Sequence, residues 1–296
     1  MATTLLKLLL TGSTGFVGSA ILQKLKHEPS LKIHTLARRP SASELQGSHV
    51  FHHEYDLSDF GLQEVMKKEQ FEILIHCAWE GLPEKKEELS SRNKELTINL
   101  FSDFLTNGGS FFMGMGSCLE YGSESGCIDE HFRPLRETAF AESKTAILQK
   151  VSDSKIDFAW LRPFYLYGEG QHSNSLIRET IKNLNNTSSS WLGRPNLTND
   201  FVYVEDLANI VSKIILGRVS CGALNIGTSV STKNIEFVNR IRNLLGFRIY
   251  SDSESEISGI QAGLSKFRSI FLDFDFTPLD IGLTRTLGSM SKLKNK

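Results

Sequence analysis

Along the chain, apolar residues gather into short runs divided by polar punctuation, and the period of each run predicts its element. Residues 5–10 are apolar except for Lys7, which predicts a buried strand, and Ala20, Ile21, Leu22 and Leu25 then recur at helical spacing. Further compact runs at 32–37, 50–53, 71–77, 110–116 and 156–161 predict five more strands. Between them, residues 84–107, with Leu96, Leu100, Phe104 and Leu105 on one face, and residues 140–151 predict helices. Past Leu161 the alternation loosens. A polar loop at 183–190, short strands at 199–204 and 223–227, a helix at 205–216 and an apolar, aromatic end at 267–287 predict a second, smaller body that packs back on the first. No internal repeat is visible.

The first strand runs into Thr11-Gly12-Ser13-Thr14-Gly15-Phe16-Val17-Gly18. Strand, glycine turn and helix in that order suit a dinucleotide pyrophosphate. Gly12 permits the turn, Gly15 lets the backbone approach the phosphates, and Gly18 lets helix pack on strand. The helix N-terminus then faces the anion. A glycine-rich turn without a ligand is the alternative. The pattern predicts an α/β fold, a doubly wound parallel Rossmann sheet over residues 1–164, with 165–296 mainly a substrate-binding lobe interleaved with late Rossmann elements.

Other positions refine the expected ligand. The second strand ends in Arg38-Arg39, where a cofactor with a free ribose 2′-hydroxyl usually meets an acid. A guanidinium there pairs with a 2′-phosphate, so NADP(H) is expected, with NAD(H) second; two exposed arginines solvating a strand end are the alternative. After the third strand, Asp56 and Leu57 stand where a carboxylate accepts from an adenine amino group, and Asp59 reads equally well as the cap of the next helix. Cys77, Ala78 and Trp79 close the fourth strand where the cofactor's second half is expected. Asn99 on the long helix and Pro163 at the end of the sixth strand complete those contacts, while His76 reads as a satisfied core histidine.

Composition narrows the partners. Thirty-three basic and 34 acidic residues leave a formal net charge of -1, so no bulk field favours nucleic acid or an anionic membrane. Cys77, Cys118, Cys127 and Cys221 lack metal-ligand spacing, which argues against a metal and against a disulfide framework, and suits a reducing cytoplasm. The apolar N-terminus lacks a basic leader and reads as the first strand rather than a signal peptide. No run approaches the roughly 18 apolar residues of a membrane span.

Ser117 at the end of the fifth strand, position 140 on a helix and Lys144 one turn later have the spacing of a Ser/Tyr/Lys hydride-transfer site, with phenylalanine at 140. Together with the glycine turn, Ser117-Cys118-Leu119-Glu120-Tyr121-Gly122, Leu161-Arg162-Pro163, the 200–206 segment and Asn225-Ile226-Gly227, the chain resembles the extended short-chain dehydrogenase/reductase superfamily. Within it, the resemblance is to the nucleotide-sugar epimerase/dehydratase/reductase branch, across residues 5 to about 285. The resemblance implies a homodimer formed through two helices per subunit. It also implies roles: serine bonds the substrate oxygen, tyrosine moves its proton, and lysine binds the nicotinamide ribose and lowers the tyrosine pKa.

The departures carry information. Phe140 keeps the ring and removes the atom that moves a proton, a loss of about 10²- to 10⁴-fold. The favoured account is an engineered replacement that traps a bound complex, since Ser117 and Lys144 are intact; a natural relative without turnover is the other. Tyr121 or Tyr167 standing in is disfavoured, because neither has a lysine four residues later. Cys118 and Leu119 occupy the Asp-Glu positions of sugar dehydratases, against that reaction. Cys118 and His172 are weighed as a 3,5-epimerase pair, with packing the favoured role of the cysteine. Asn199 stands where relatives often carry a pyrophosphate-gripping arginine; Arg178 and Arg194 are the candidates to supply that charge instead, with ordinary surface solvation as their alternative role. With Ser117, Cys118 and Tyr165 these make the expected substrate contacts.

The expected function is NADP(H)-dependent reduction of a nucleotide-linked 4-keto-deoxy sugar, impaired by Phe140. A nucleotide-sugar 4-epimerase, or a non-catalytic binder of cofactor and nucleotide sugar, is the alternative.

Overall fold

A computed structural model describes residues 5–38, 49–82, 86–252, 255 and 257–294, with the side chains of 291–294 excepted. Arg39 lies outside the described residues. In chain order the elements are β1 (Leu6–Thr11), α1 (Phe16–Leu25), β2 (Leu31–Ala37), β3 (Val50–Glu54), α2 (Gly61–Glu69), β4 (Ile73–His76), α3 (Glu87–Thr106) and β5 (Phe111–Met115). A 3₁₀ turn (Cys118–Tyr121), β6 (Gly126–Ile128), α4 (Ala139–Asp153), β7 (Asp157–Pro163), β8 (Tyr165–Tyr167), α5 (Leu176–Lys182), β9 (Thr198–Tyr203) and α6 (Val204–Gly217) follow. The chain ends with β10 (Gly222–Ile226), β11 (Ser231–Lys233), α7 (Asn234–Leu244), β12 (Ile260–Ala262), α8 (Ser265–Ile270) and α9 (Leu279–Lys294).

Two compact units result. The first holds Met1–Ser123, Arg133–Arg162 and Leu207–Leu224; the second holds Glu124–Phe132, Pro163–Asp206 and Asn225–Lys296. The chain thus crosses between units after Arg162, and also lends a short segment to the second unit before α4 and takes back most of α6.

The central sheet has seven strands in the order β10-β7-β5-β4-β1-β2-β3, and the pairings from β3 across to β7 are parallel. Parallel strands covered on both faces need near-continuous apolar runs, and Leu8, Leu9, Leu10, Ile73, Leu74, Ile75, Phe112 and Met113 are all fully buried. On one face Leu9, Leu74, Phe112 and Trp160 pack against Leu100, Phe101 and Phe104 of α3 and Ile147 and Val151 of α4. Strand order reverses between β1 and β4, and open α/β sheets leave a crevice at the carboxyl ends of such strands.

In the second unit, β11, β9 and β8 form a three-stranded sheet and β12 pairs with β6. Tyr167, Ile177, Tyr203, Phe237, Ile241 and Leu283 make its core. Asp200, fully buried, accepts from Thr228 N and Ser229 N at 2.8 and 2.9 Å and from Ala262 N at 3.1 Å, which ties two loops to β9.

Asp59 does not cap α2. The residue before that helix is Phe60, without a side-chain cap, and Asp59 Oδ2 accepts instead from Asp56 N at 2.6 Å. Thr138 does cap α4, accepting from Ala141 N at 3.1 Å, and so fixes where the helix bearing Phe140 and Lys144 starts.

Candidate active site

The glycine turn is built by close contacts. Gly12 has φ +70°, and a Cβ there would lie 2.6 Å from Ala78 N; a Cβ on Gly18 would lie 2.1 Å from the Gly12 carbonyl oxygen. Both are glycines because no side chain fits. Gly15 differs, since its Cβ position meets only Gly12 O, at 3.3 Å, and a methyl there would fill the space in front of the helix. α1 starts beyond Gly15 without a side-chain cap or an acid in its first turn, so its leading N–H groups and dipole are left for an anion. Ser13 Oγ is buried in the same turn without a partner.

A cleft with about 210 Å³ of space open to water-sized groups runs from this turn at the carboxyl ends of β1, β2 and β4. Thr11, Gly12, Thr14 and Gly15 line one part, and Cys77, Ala78 and Trp79 line another. Leu36, Ala37, Arg38, Tyr55, Asp56 and Leu57 form a partly apolar end, suited to a base and a ribose. The turn's geometry and this cleft fit a dinucleotide. Phe16, Val17 and Gly18 stand behind the turn in α1.

Charges gather at the cleft's rim. Arg38 Nη1 and Arg92 Nη1 each lie 3.3 Å from a Glu80 carboxylate oxygen. Asp56 Oδ1 accepts from Ser58 N and Oγ at 3.1 and 2.7 Å, and the Ser58 hydroxyl first among several causes holds its carboxyl below the usual range. Asn99 is exposed and borders a separate pocket with Leu57 and Asp103. Asn93, not expected from the sequence, lines the cleft in its place and is buried; its Nδ2 donates to Glu80 O at 2.9 Å and its Oδ1 accepts from Glu80 N at 3.0 Å.

Phe140 and Lys144 meet around Trp79, and Ser117 lies two residues beyond Met115, whose carbonyl accepts from Lys144. Lys144 is 5% exposed, donates through Nζ to the Met115 carbonyl at 2.7 Å, and lies 3.7 Å from the Trp79 ring centroid and 5.7 Å from that of Phe140. Burial pushes its pKa down to about 7, opposed by the Glu120 carboxylate. Phe140 is buried and meets Trp79 edge to face at 5.4 Å. Ser117 is half-buried and caps the 3₁₀ turn, its Oγ accepting from Leu119 N at 3.2 Å. Its own O–H proton remains to be donated. Cys118, on the same turn, is buried.

Glu120 was legible as the fourth position of a Ser-x-x-Glu capping box, yet had no expected role. His76 is a core histidine with both ring nitrogens bonded, to Thr11 Oγ1 at 2.8 Å and Thr97 Oγ1 at 2.9 Å, and burial holds it down to about 3. Tyr121 accepts from Arg162 Nη1 at 3.0 Å inside the first unit.

The remaining expected contacts belong to the second unit. Pro163 is buried at the end of β7, and Tyr165 is half-buried with its ring 6.1 Å from that of Phe201. Arg178 Nε donates to Gln171 O at 3.3 Å, and Arg194 is exposed. His172 is also exposed, its Nδ1 accepting from Asn174 N at 3.2 Å. Asn199 is 3% exposed; its Nδ2 donates to Asn234 Oδ1 at 2.8 Å while its Oδ1 is buried without a partner. Among the described residues no cluster of His, Cys, Asp or Glu can hold a metal ion, and no helix is long and apolar enough to cross a membrane.

The fold has close structural relatives at low identity. The Bordetella bronchiseptica enzyme WbmH, solved with NAD+, superposes with a TM-score of 0.84 at 19% identity, covering 97% of this chain and 99% of the other. A tyrosine-to-phenylalanine variant of UDP-glucuronic acid 4-epimerase from Bacillus cereus, solved with UDP-4-deoxy-4-fluoro-glucuronic acid and NAD, gives 0.83 at 18% identity, covering 97% and 100%. In sequence, the chain is 24% identical over 221 residues to the UDP-2-acetamido-2,6-beta-L-arabino-hexul-4-ose reductase of Pseudomonas aeruginosa, a match spanning 73% of this chain and 51% of that protein. The chain therefore spans about half the length of the curated relative it matches. Residues 8–227, which contain the glycine turn, the cleft and the Ser117, Phe140 and Lys144 positions, match the model of the NAD dependent epimerase/dehydratase family, and the chain belongs to that family.

Proposed function

We propose that the chain is an NADP(H)-dependent reductase of a nucleotide-linked 4-keto-deoxy sugar whose turnover is impaired by Phe140. The observation that carries this reading is Lys144 held beside the ring of residue 140 and bonded to the Met115 carbonyl, two residues before a retained Ser117, next to a cleft that fits a dinucleotide. Ser117 donates a hydrogen bond to the substrate ketone oxygen, keeping its own proton, and stabilises the developing alkoxide. Lys144 holds the ribose of the cofactor through the donors that Met115 leaves free. A bound nicotinamide supplies hydride chemistry. Position 140 is where a tyrosine would protonate the oxygen, and phenylalanine has no proton to give.

The Pseudomonas aeruginosa relative, named as a reductase of a UDP-linked hexul-4-ose, supports the substrate class. Arg38 at the rim supports a 2′-phosphate; NAD in the two structural relatives keeps NAD(H) as the alternative. Cys118 and Leu119 leave a dehydratase without its acid pair. A 4-epimerase uses the same residues and differs in whether the keto sugar turns over within the pocket. Phe140 itself favours a second reading, a cofactor and nucleotide-sugar binder without turnover. Phe140→Tyr decides between them: reduction of a nucleotide 4-keto sugar that emerges only in that variant supports the enzyme, whereas unchanged binding with no turnover supports the binder.

A further inference from the structure

At the cleft end suited to a base and a ribose, two cations from different elements meet on one acid. Arg38, just past β2, and Arg92, in the second turn of α3, place their Nη1 atoms 3.3 Å from different oxygens of the Glu80 carboxylate, Oε1 and Oε2. Glu80 lines the cleft with Arg38 and Asp56, and Arg92 Nη2 lies 3.9 Å from Asp56 Oδ1. The Arg92 guanidinium thus spans two carboxylates that border the cleft. The side chains of Arg38, Arg92 and Glu80 are exposed, and exposed ion pairs contribute little net stability, so another anion displaces this carboxylate at small cost. The backbone beneath is fixed. Asn93, next to Arg92 on α3, donates to Glu80 O at 2.9 Å and Leu89 O at 2.7 Å, and accepts from Glu80 N at 3.0 Å. Rotation of the Glu80 side chain alone vacates the space between the guanidiniums, while its loop stays bonded to the helix that carries Arg92.

We infer that Arg92 is the second arm of a 2′-phosphate seat, gripping with Arg38 the phosphate that takes the place of the Glu80 carboxylate. The inference rests on the reading of the cofactor as NADP(H). A phosphate monoester carries about −1.5 to −2 charge near neutrality and three acceptor oxygens. A carboxylate offers one charge and two oxygens, so the phosphate makes the stronger bonds to a pair of guanidinium forks. Arg38 meets it from the strand end and Arg92 from the helix. A neutral 2′-hydroxyl leaves Glu80 with both arginines, and Arg92 then adds nothing to binding.

The test titrates the full chain calorimetrically with two probes that differ only in this group, adenosine 2′,5′-bisphosphate and adenosine 5′-monophosphate. The parent binds the bisphosphate more tightly. Arg92→Ala weakens the bisphosphate about tenfold and leaves the monophosphate nearly unchanged. Arg92→Lys, which keeps the charge and loses the fork, recovers only part of that loss. Lys94→Ala removes the same charge about 200° around the helix and leaves both probes nearly unchanged. In a Glu80→Gln background Arg92→Ala weakens the bisphosphate by the same factor, because no Glu80 carboxylate is left there to repel it. A loss confined to chains that keep Glu80 makes Arg92 a screen for that acid and overturns the assignment. An equal loss of both probes, or an equal effect of Lys94→Ala, overturns it as well. A parent that prefers the bisphosphate and keeps that preference in Arg92→Ala removes the role of Arg92 and leaves the NADP(H) reading standing. A parent that binds the two probes equally, or neither, defeats that reading and this assignment together.

Discussion

The ammonium of Lys144 stands 3.7 Å from the centroid of the Trp79 ring while donating to the Met115 carbonyl at 2.7 Å. A cation over an indole face is stabilised by the ring quadrupole, so the lysine is held in place before any ligand arrives. Trp79 also lines the cleft and meets Phe140 edge to face. It connects the cleft with the Phe140 and Lys144 positions.

Phe140→Tyr is expected to raise kcat on nucleotide 4-keto sugars by about 10²- to 10⁴-fold, with little change in dinucleotide affinity. Steady-state rates and cofactor titration check it. Loss of the parent's residual activity in Tyr121→Phe or Tyr167→Phe would point elsewhere, but both hydroxyls sit in buried structural contacts, with Arg162 and with the Leu279 carbonyl.

Burial of Lys144 makes stability depend on pH in a defined direction. Its folded pKa of about 7 lies below the ordinary 10.5, so the unfolded chain binds more protons between those values and stability contributed at this site rises with pH across that window. Below about pH 7 the desolvation penalty is complete. Lys144→Met is therefore expected to stabilise the fold more at pH 6 than at pH 9, with a difference of roughly 2–3 kcal/mol. Urea unfolding at the two pH values measures it, and a pH-independent difference refutes it.

The three glycines of the turn separate into two kinds. Gly18→Ala pushes a methyl against the Gly12 carbonyl and is expected to cost roughly 1–3 kcal/mol of stability. Gly15→Ala, with only one contact at 3.3 Å, is expected to cost well under that while weakening dinucleotide binding about tenfold or more. Equal loss of stability in both variants would deny Gly15 its ligand-facing role.

Arg38→Ala is expected to weaken NADP(H) binding about tenfold and leave NAD(H) binding nearly unchanged, because a charge-assisted bond to a 2′-phosphate is lost in one case alone. Glu80→Gln, which frees Arg38 and Arg92 from a competing carboxylate, is expected to tighten NADP(H) by a few-fold. Calorimetric titration with both cofactors checks the pair. Equal losses for NAD(H) and NADP(H) on removing Arg38 would leave it a surface cation.

The sheet and its order of elements were determined by the sequence alone, because β1, β4 and β5 are buried on both faces and can be built only from unbroken apolar runs. Gly12 and Gly18 were legible for the same kind of reason: their contacts are made within the turn itself and with the strand beside it. The spacing of Ser117, position 140 and Lys144 is local along the chain and was readable there, and the structure adds the Lys144 bond to the Met115 carbonyl.

Tertiary structure decided the rest. Asn93 rather than Asn99 lines the cleft because the orientation of α3 on the sheet, not its spacing, selects which asparagine faces inward. The association of Glu120 with Trp160 and Arg162 joins residues about 40 apart in the chain, and no local pattern announces it. The depressed pKa of Lys144 likewise comes from desolvation, which exists only once strand, helix and the Trp79 ring have closed around the ammonium.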